Sequence, residues 1–507
     1  MKRYYFVVLV MLAALSCSCM RNDVPETDKD SFLTYFIYPN SYANIVAGNM
    51  NETELKKELE KRTGVKIEFI HPYYEPNSEF VLMQASNNLP DIIEYTWKKY
   101  NGGAEKALEE GIILPLNDII ESYSPNLCSY INNNIHIKKD LMTDSGKYYA
   151  YPFIRESEYM KKYFGPVIRK DWLDSLSLGE PKTIAEWEAV LIKFRENYAD
   201  AAPLSFTVSG LKSGFLTGAF DLTLGYYIDN GVVKFGPAEL RYRDFIETLR
   251  RWYVSGLISP DFASLTTENI TDNFLAGRVG AAPLTVGGDM GRILEADNIK
   301  IAALEYPTLA LGNMSRFGQY DGIFCRAAIS GSCRDVPAAA RFLDYGYGKE
   351  GMLTYNFGIE GISYNMEEGK PRYANVITKN EVYPMPVIMA NYIRGNLDGP
   401  FIQMSGYYDQ YLTYPEQIYA VELWRRTPSE TTALPDLMFV GNETDKVIAY
   451  KSSIESYAED MTLQFILGVE PLENYHKFAE ELERRKVKDS VAVYQTSYDR
   501  YIHRESE

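Results

Sequence analysis

Phe32-Leu33-Thr34-Tyr35-Phe36-Ile37-Tyr38, the charged run from Glu52 to Arg62, and then Gly64-Val65-Lys66-Ile67-Glu68-Phe69 set the architecture of this chain. The first run is rich in aromatic and branched side chains and stops at Pro39, which has no amide to give a ladder. In the second, Leu55 and Leu59 lie one helical turn apart among charges, the pattern of a surface helix with one buried stripe. Gly64 ends that helix, and Val65 to Phe69 alternates apolar with charged residues as a half-buried strand does. Strand, helix and strand in this order form a βαβ unit, which implies a sheet with parallel strands.

The unit recurs downstream. A helix around Glu79 to Ala85 leads into a strand at Asp91-Ile92-Ile93-Glu94-Tyr95, and Gly102-Gly103 opens a helix through Leu108. Val167-Ile168-Arg169 reads as a strand running into a helix at Asp171-Trp172-Leu173. Thr183 and Glu186 form a capping box ahead of Trp187, Val190 and Leu191. Another helix ends at Gly256. The class is therefore α/β. No repeat of 20 to 50 residues and no low-complexity linker is visible, so two domains would be joined by several crossing strands.

Composition narrows the function. The chain has 507 residues, 46% hydrophobic, enough for large cores and several domains. Its net charge of −17 excludes the basic footprint that nucleic acid or an anionic lipid surface needs. Forty-one tyrosines give many rings that carry both an apolar face and a hydroxyl, suited to polar, ring-shaped ligands; a tyrosine-rich core and surface must account for most of them. The four histidines, His71, His136, His476 and His503, are scattered, and no cysteine pair has metal-ligand spacing. No metal, cofactor or catalytic group is expected. A bridge between Cys325 and Cys333 is left open.

The N-terminus supplies an address. Lys2 and Arg3 precede an apolar run, Tyr4 to Leu15, too short to span a bilayer comfortably, and small residues follow at Ser16 and Ser18. This is a secretory signal over 1–16. Ala14-Leu15-Ser16-Cys17 resembles a bacterial lipobox, which makes Cys17 a lipidation site and 17–30 a polar tether; an ordinary cleaved signal is the competing reading. Cys19 is the weaker acceptor. Beyond the signal, no apolar run reaches the length of a membrane span.

Several segments in collinear order resemble extracellular solute-binding proteins of ABC importers, family 1 of the sugar-binding type. They are Pro90-Asp91-Ile92-Ile93, Gly102-Gly103, Gly111-Ile112-Ile113-Leu114-Pro115-Leu116, Arg169-Lys170-Asp171-Trp172-Leu173, Pro181 to Trp187 and Ala276 to Ala282. Gly358-Ile359-Glu360-Gly361, Ala492-Val493-Tyr494-Gln495 and Tyr498-Asp499-Arg500-Tyr501 resemble a LipO-like lipoprotein branch. The resemblance implies a two-lobed periplasmic-binding-protein-like fold of type II, with lobes joined by multiple hinge crossings. It places 31–152 and 318–375 in the N-terminal lobe and 153–317 and 376–507 in the C-terminal lobe.

It also implies ligand contacts in an interlobe cleft. Tyr95, Trp97 and Lys98 occupy the loop after the Asp91 strand; Trp97 covering a helix start is the alternative. Arg155 and Glu156 lie at the crossing into the second lobe, with a surface ion pair as the alternative. Thr207 sits on a second-lobe edge that also reads as a plain core strand. Asp289 stands where a stacking ring is expected, which implies a different ligand or binding mode. Tyr320 and Asp321 lie where the chain returns to the first lobe, and Tyr407 and Tyr408 in a late aromatic segment. Trp172, Trp187, Trp252 and Trp424 fit helix cores.

The resemblance implies a monomeric lipoprotein, lipid-anchored on the extracytoplasmic face of the cell membrane. Such a protein delivers an oligosaccharide or related glycan to ABC permease subunits and performs no chemistry. Two alternatives remain: a binding protein signalling through a membrane kinase, and a secreted carbohydrate-active enzyme with two carboxylates across a scissile bond.

Overall fold

The computed structural model describes residues 32–37, 41–72, 76–296, 298–320, 324–395 and 399–504. The signal and tether (1–30, with Cys17 and Cys19) and Asp321 lie outside them.

Fourteen strands follow in chain order among the described residues: β1 (Phe32–Phe36), β2 (Lys66–Ile70), β3 (Ile92–Glu94), β4 (Tyr151–Arg155), β5 (Phe164–Arg169), β6 (Ala202–Leu204), β7 (Tyr226–Asp229), β8 (Val232–Phe235), β9 (Val279–Thr285), β10 (Ile301–Ala303), β11 (Phe324–Ile329), β12 (Tyr364–Glu367), β13 (Lys370–Tyr373) and β14 (Ile402–Gln403). Two sheets carry two lobes. The first has the order β14-β4-β11-β3-β1-β2 and the second β10-β5-β9-β6. The opening βαβ reading holds: β1 pairs parallel with β2 and with β3. Between them, Thr53 caps the helix Glu54–Thr63 by accepting from Lys56 N, and Gly64 closes it at φ 71°.

The chain leaves the first sheet after β4, returns between β10 and β11, and leaves again after β14. The late strand β11 inserts antiparallel between β3 and β4. One boundary differs from the sequence reading. Within 376–507, β14 returns to the first sheet and pairs parallel with β4. A two-residue strand has no hydrophobic period to betray it.

Each sheet buries its own core. Leu33, Tyr35, Ile92, Trp97 and Phe342 belong to the first, and Trp187, Phe194, Phe245 and Trp252 to the second. The Thr183–Glu186 capping box forms as expected and sets Trp187 inward. A third core joins strands β5 and β9 of the second sheet to late segments of the chain, with Val167, Ala282, Phe357, Tyr373, Tyr407 and Trp424. Packing there is tight: a Cβ at Gly165 in β5 would fall 2.4 Å from the Trp424 indole. Cys128 and Cys333 are free thiols. Burial pushes the Cys333 pKa up to about 12, so it is an inert thiol at neutral pH.

The C-terminal helix Val487–His503 touches both lobes. Gln495 accepts from Val233 N on the β7–β8 hairpin. Toward its C-terminal end, Arg500 and Arg504 both reach Asp144 at 2.6 Å, and Tyr501 donates to Asp140 of the helix Ile135–Leu141, which packs in the first core.

Candidate functional site

Two cavities adjoin, one of about 650 Å³ between a first-lobe loop and late segments of the chain and one of about 390 Å³ walled by second-lobe segments. They share Leu434 and Glu455, so they meet at the segment from Ser429 to Phe439 and together form a groove. The first lobe contributes the loop Lys99 to Gly103 and Glu105. The second contributes Val208 to Gly214, Thr223 to Tyr227 and Phe317 to Tyr320, with Glu455, Glu459 and Tyr494 from the C-terminal helices.

Local geometry explains the loop wall. Gly102 and Gly103 both adopt left-handed backbone, at φ 98° and 72°, turning the chain into the helix Gly103–Glu109. A Cβ at Gly102 would lie 2.6 Å from Lys106 Cβ and 2.9 Å from Thr444 Cγ2, so the loop approaches the helix Asn442–Tyr450 too closely for any side chain.

Aromatic faces line the larger cavity. Tyr494 stacks on Tyr226 with centroids 3.8 Å apart and planes 13° from parallel, and meets Phe439 edge-on at 5.1 Å. Tyr100 presents its ring from the first lobe, its hydroxyl donating to Glu110 at 2.5 Å. Beside these rings stand carboxylates. Glu455 closes a π-helical turn, Lys451–Glu455, a local irregularity frequent at functional sites. Tyr494 Oη donates to Glu455 Oε1 at 3.3 Å. Burial holds the Glu455 carboxyl above the usual carboxylate range, although Lys451 and the Tyr494 hydroxyl pull it down. Glu105, 6% exposed, accepts from Ser145 Oγ at 2.5 Å through Oε1; its Oε2 is buried without a hydrogen-bond partner. Rings for C–H faces and carboxylates for hydroxyls together make a surface complementary to a polyhydroxylated ring.

Of the residues expected from sequence, Tyr320 alone among those described lines the groove; Lys161 Nζ stands 5.8 Å from its ring centre. Trp97 is 1% exposed and packs with Phe80, Tyr95 and Tyr100 in the first core, so Trp97 and Tyr95 support the wall from behind. Lys98 lies in the turn Trp97–Lys99, next to the lining residue Lys99. Arg155 lies over the Phe153 and Tyr163 rings, and Glu156 accepts from Ser405 N and Oγ at 2.7 and 2.8 Å. Both therefore fasten the crossing segments to each other. Thr207 caps a short helix by accepting from Gly210 N, one residue ahead of the lining Val208. Asp289 accepts from Thr271 Oγ1 and from Thr285 N and Oγ1, which ties a helix start to β9. Tyr407 and Tyr408 are buried in the third core, where desolvation raises both hydroxyl pKa values. Trp172, Trp187, Trp252 and Trp424 are buried, as read.

Sequence reasoning missed Glu105, Tyr226, Phe439, Glu455, Tyr494 and most of the wall. Signals existed for two of them. Tyr226 opens a hairpin whose Asp229-Asn230-Gly231 turn is legible, and Tyr494 lies in a quoted C-terminal motif. Among the described residues, no group of three or more His, Cys, Asp or Glu is placed to hold a metal ion, and no helix is long and apolar enough to cross a membrane.

Two lobes on separate sheets, with a groove between them lined by rings and hydrogen-bonding groups, define a solute-binding protein. The chain belongs to the bacterial extracellular solute-binding protein family, whose model matches residues 47–352. It is 23% identical over 489 residues to the fructooligosaccharide ABC transporter substrate-binding protein FusA of Streptococcus pneumoniae serotype 4, covering 89% of this chain and 87% of that one. It is 25% identical over 340 residues to the lipoprotein LipO of Bacillus subtilis, covering 62% of this chain and 64% of that one. The solved structure of S. pneumoniae FusA in complex with kestose superposes with a TM-score of 0.78 at 19% identity, covering 94% of this chain and 100% of that one. FusA is a substrate-binding protein by its description, and its structure shares the fold of this chain.

Proposed function

We propose that this protein is the substrate-binding lipoprotein of an ABC importer, acylated at Cys17 and holding an oligosaccharide in the interlobe groove. The observation that carries the reading is the groove itself, with Tyr100 of the first lobe and Tyr494 and Glu455 of the C-terminal helices lining one cavity. A ligand that touches both walls binds the closed arrangement better than the open one and shifts the equilibrium by that difference in affinity. Closure expels water, which strengthens hydrogen bonds to the sugar hydroxyls. FusA, described by its fructooligosaccharides, supports the ligand class, and LipO, described as a lipoprotein, supports the anchor. The acyl chain holds a monomeric receptor on the extracytoplasmic face, where tethering raises its effective concentration at the permease.

The test is a thermal-shift and calorimetric screen of the soluble body against glycans, amino acids, peptides and polyamines. An oligosaccharide at 100 times its Kd is expected to stabilise the protein by about 2.7 kcal/mol and to be recovered intact. Stabilisation by peptides or amino acids alone refutes the glycan assignment, and turnover of the sugar refutes the binding-only role. Cys17→Ser is expected to move the protein from the membrane fraction to the soluble one.

A further inference from the structure

The charged groups that line the groove are unevenly placed. Lys99 and Lys451 in the larger cavity are exposed, and Lys212 in the smaller one is exposed and paired with Glu459 at 2.7 Å. Among the described residues, no arginine lines either cavity. Glu105 is buried, and Asp436 and Glu455 are half-buried. The charge withdrawn from water is therefore negative, and the positive charge stays at the solvent edge. Recognition of a carboxylated or sulfated ligand uses the opposite layout, with the guanidinium fork inside.

Glu455 occupies the joint between the cavities. Tyr494 donates to one of its oxygens, and the Tyr494 ring is fixed on Tyr226, so the acceptor is held before any ligand arrives. Across the same cavity Glu105 has an oxygen with no donor, a state that costs free energy until one is supplied. An ionised carboxylate accepts only; it takes hydrogen bonds from hydroxyls and repels another anion.

We propose that Glu455, assisted by Glu105 from the opposite lobe, is a specificity residue that makes the groove take neutral, hydroxyl-rich oligosaccharides and reject uronate or sulfated ones. The inference rests on the glycan reading above. Discrimination here comes from a repulsive element as much as an attractive one, since an anionic sugar ring would be desolvated beside buried carboxylates.

The experiment is calorimetry of the mature chain with two probes sets: neutral fructo-, malto- and xylo-oligosaccharides, and oligogalacturonates of matched length. The wild type is expected to bind one neutral series at least about 100-fold more tightly than oligogalacturonate. Glu455→Gln, which keeps the size and one acceptor oxygen, is expected to weaken the neutral ligand roughly 10- to 100-fold, the value of a hydrogen bond to a charged group, and to narrow the gap to the uronate. Glu105→Gln retains an oxygen for Ser145 and serves as the independent second variant. Equal binding of both probe sets by the wild type, or an unchanged gap in both folded variants, overturns the inference. If neither set binds, the glycan reading falls and takes this one with it. If oligogalacturonate alone binds, the glycan reading stands and this inference is wrong.

Discussion

Glu94 and Arg394 form an ion pair whose side chains are 0% and 5% exposed. Arg394 Nη2 donates to Glu94 Oε1 at 2.9 Å, both terminal nitrogens reach Oε2 at 3.2 Å, and Tyr35 Oη donates to Oε2 at 2.8 Å. The pair joins the end of β3 to the chain just after the helix Met385–Tyr392. Removing one partner strands a charge without solvent, which costs about 3–5 kcal/mol, whereas exchanging both for apolar groups is close to neutral. Arg394→Met leaves the Glu94 carboxylate buried with the Tyr35 hydroxyl in place of a cation and is expected to lose about 3–5 kcal/mol. With a urea dependence of about 3 kcal/mol per molar, that is a fall of about 1–2 M in the midpoint of the first-lobe transition. Glu94→Leu should cost as much, and the double variant Glu94→Leu/Arg394→Met much less than their sum. The assay is urea unfolding of the four proteins, followed by fluorescence and by far-UV dichroism. A single variant within 1 kcal/mol of wild type, or a double variant equal to the sum of the singles, refutes the reasoning, because uncoupled losses mean that neither charge depends on the other.

Asp91 gives a pH signature. Burial alone would raise its carboxyl, but bonds from Arg334 and Thr34 outweigh that and hold it down at about 2. A carboxyl lower in the folded state than in the unfolded one stabilises above the unfolded value and loses that contribution as the pH falls through the folded one. Wild type should therefore lose stability between about pH 4 and pH 2 that Asp91→Asn does not lose, read as the difference between their urea midpoints; parallel curves would remove Asp91 as the cause. Gly165→Ala forces a methyl onto the Trp424 ring and is expected to cost about 1–3 kcal/mol with a lowered melting temperature; an unchanged one would mean the strand yields freely. Trp97→Ala should cost about 3–5 kcal/mol while the calorimetric Kd of the folded protein for its sugar stays within about threefold. Loss of binding at unchanged stability would return Trp97 to the ligand surface.

The alternation of elements was legible because each rests on local chemistry: Thr53 and Gly64 bounding a helix, Thr183 with Glu186 opening another, and the period-two pattern of β2. The groove was less legible, for a physical reason. Cleft walls are assembled from short segments that meet only after the lobes form, and their chemistry resembles that of the core. Trp97 and Glu105 are both buried; what separates them is that Glu105 borders empty space, a property of the fold and not of the residue. Asp289, expected at the position of a stacking ring, is bonded to two threonines, one of them distant in sequence, which no local pattern announces.

The place of β11 sets an order of events. Its neighbours in the sheet, β3 and β4, precede it by well over a hundred residues, and β14 adds the edge later still. While the earlier two-thirds of the chain exists alone, β3 and β4 lack the strand that lies between them, so the first lobe has a gap through the middle of its ladder. Non-local pairings of this kind close slowly, because loop entropy must be lost before contacts repay it. A nascent chain that has already made every strand of the second sheet still cannot complete the first ladder until β11 emerges, so the first lobe is the last to reach its final shape.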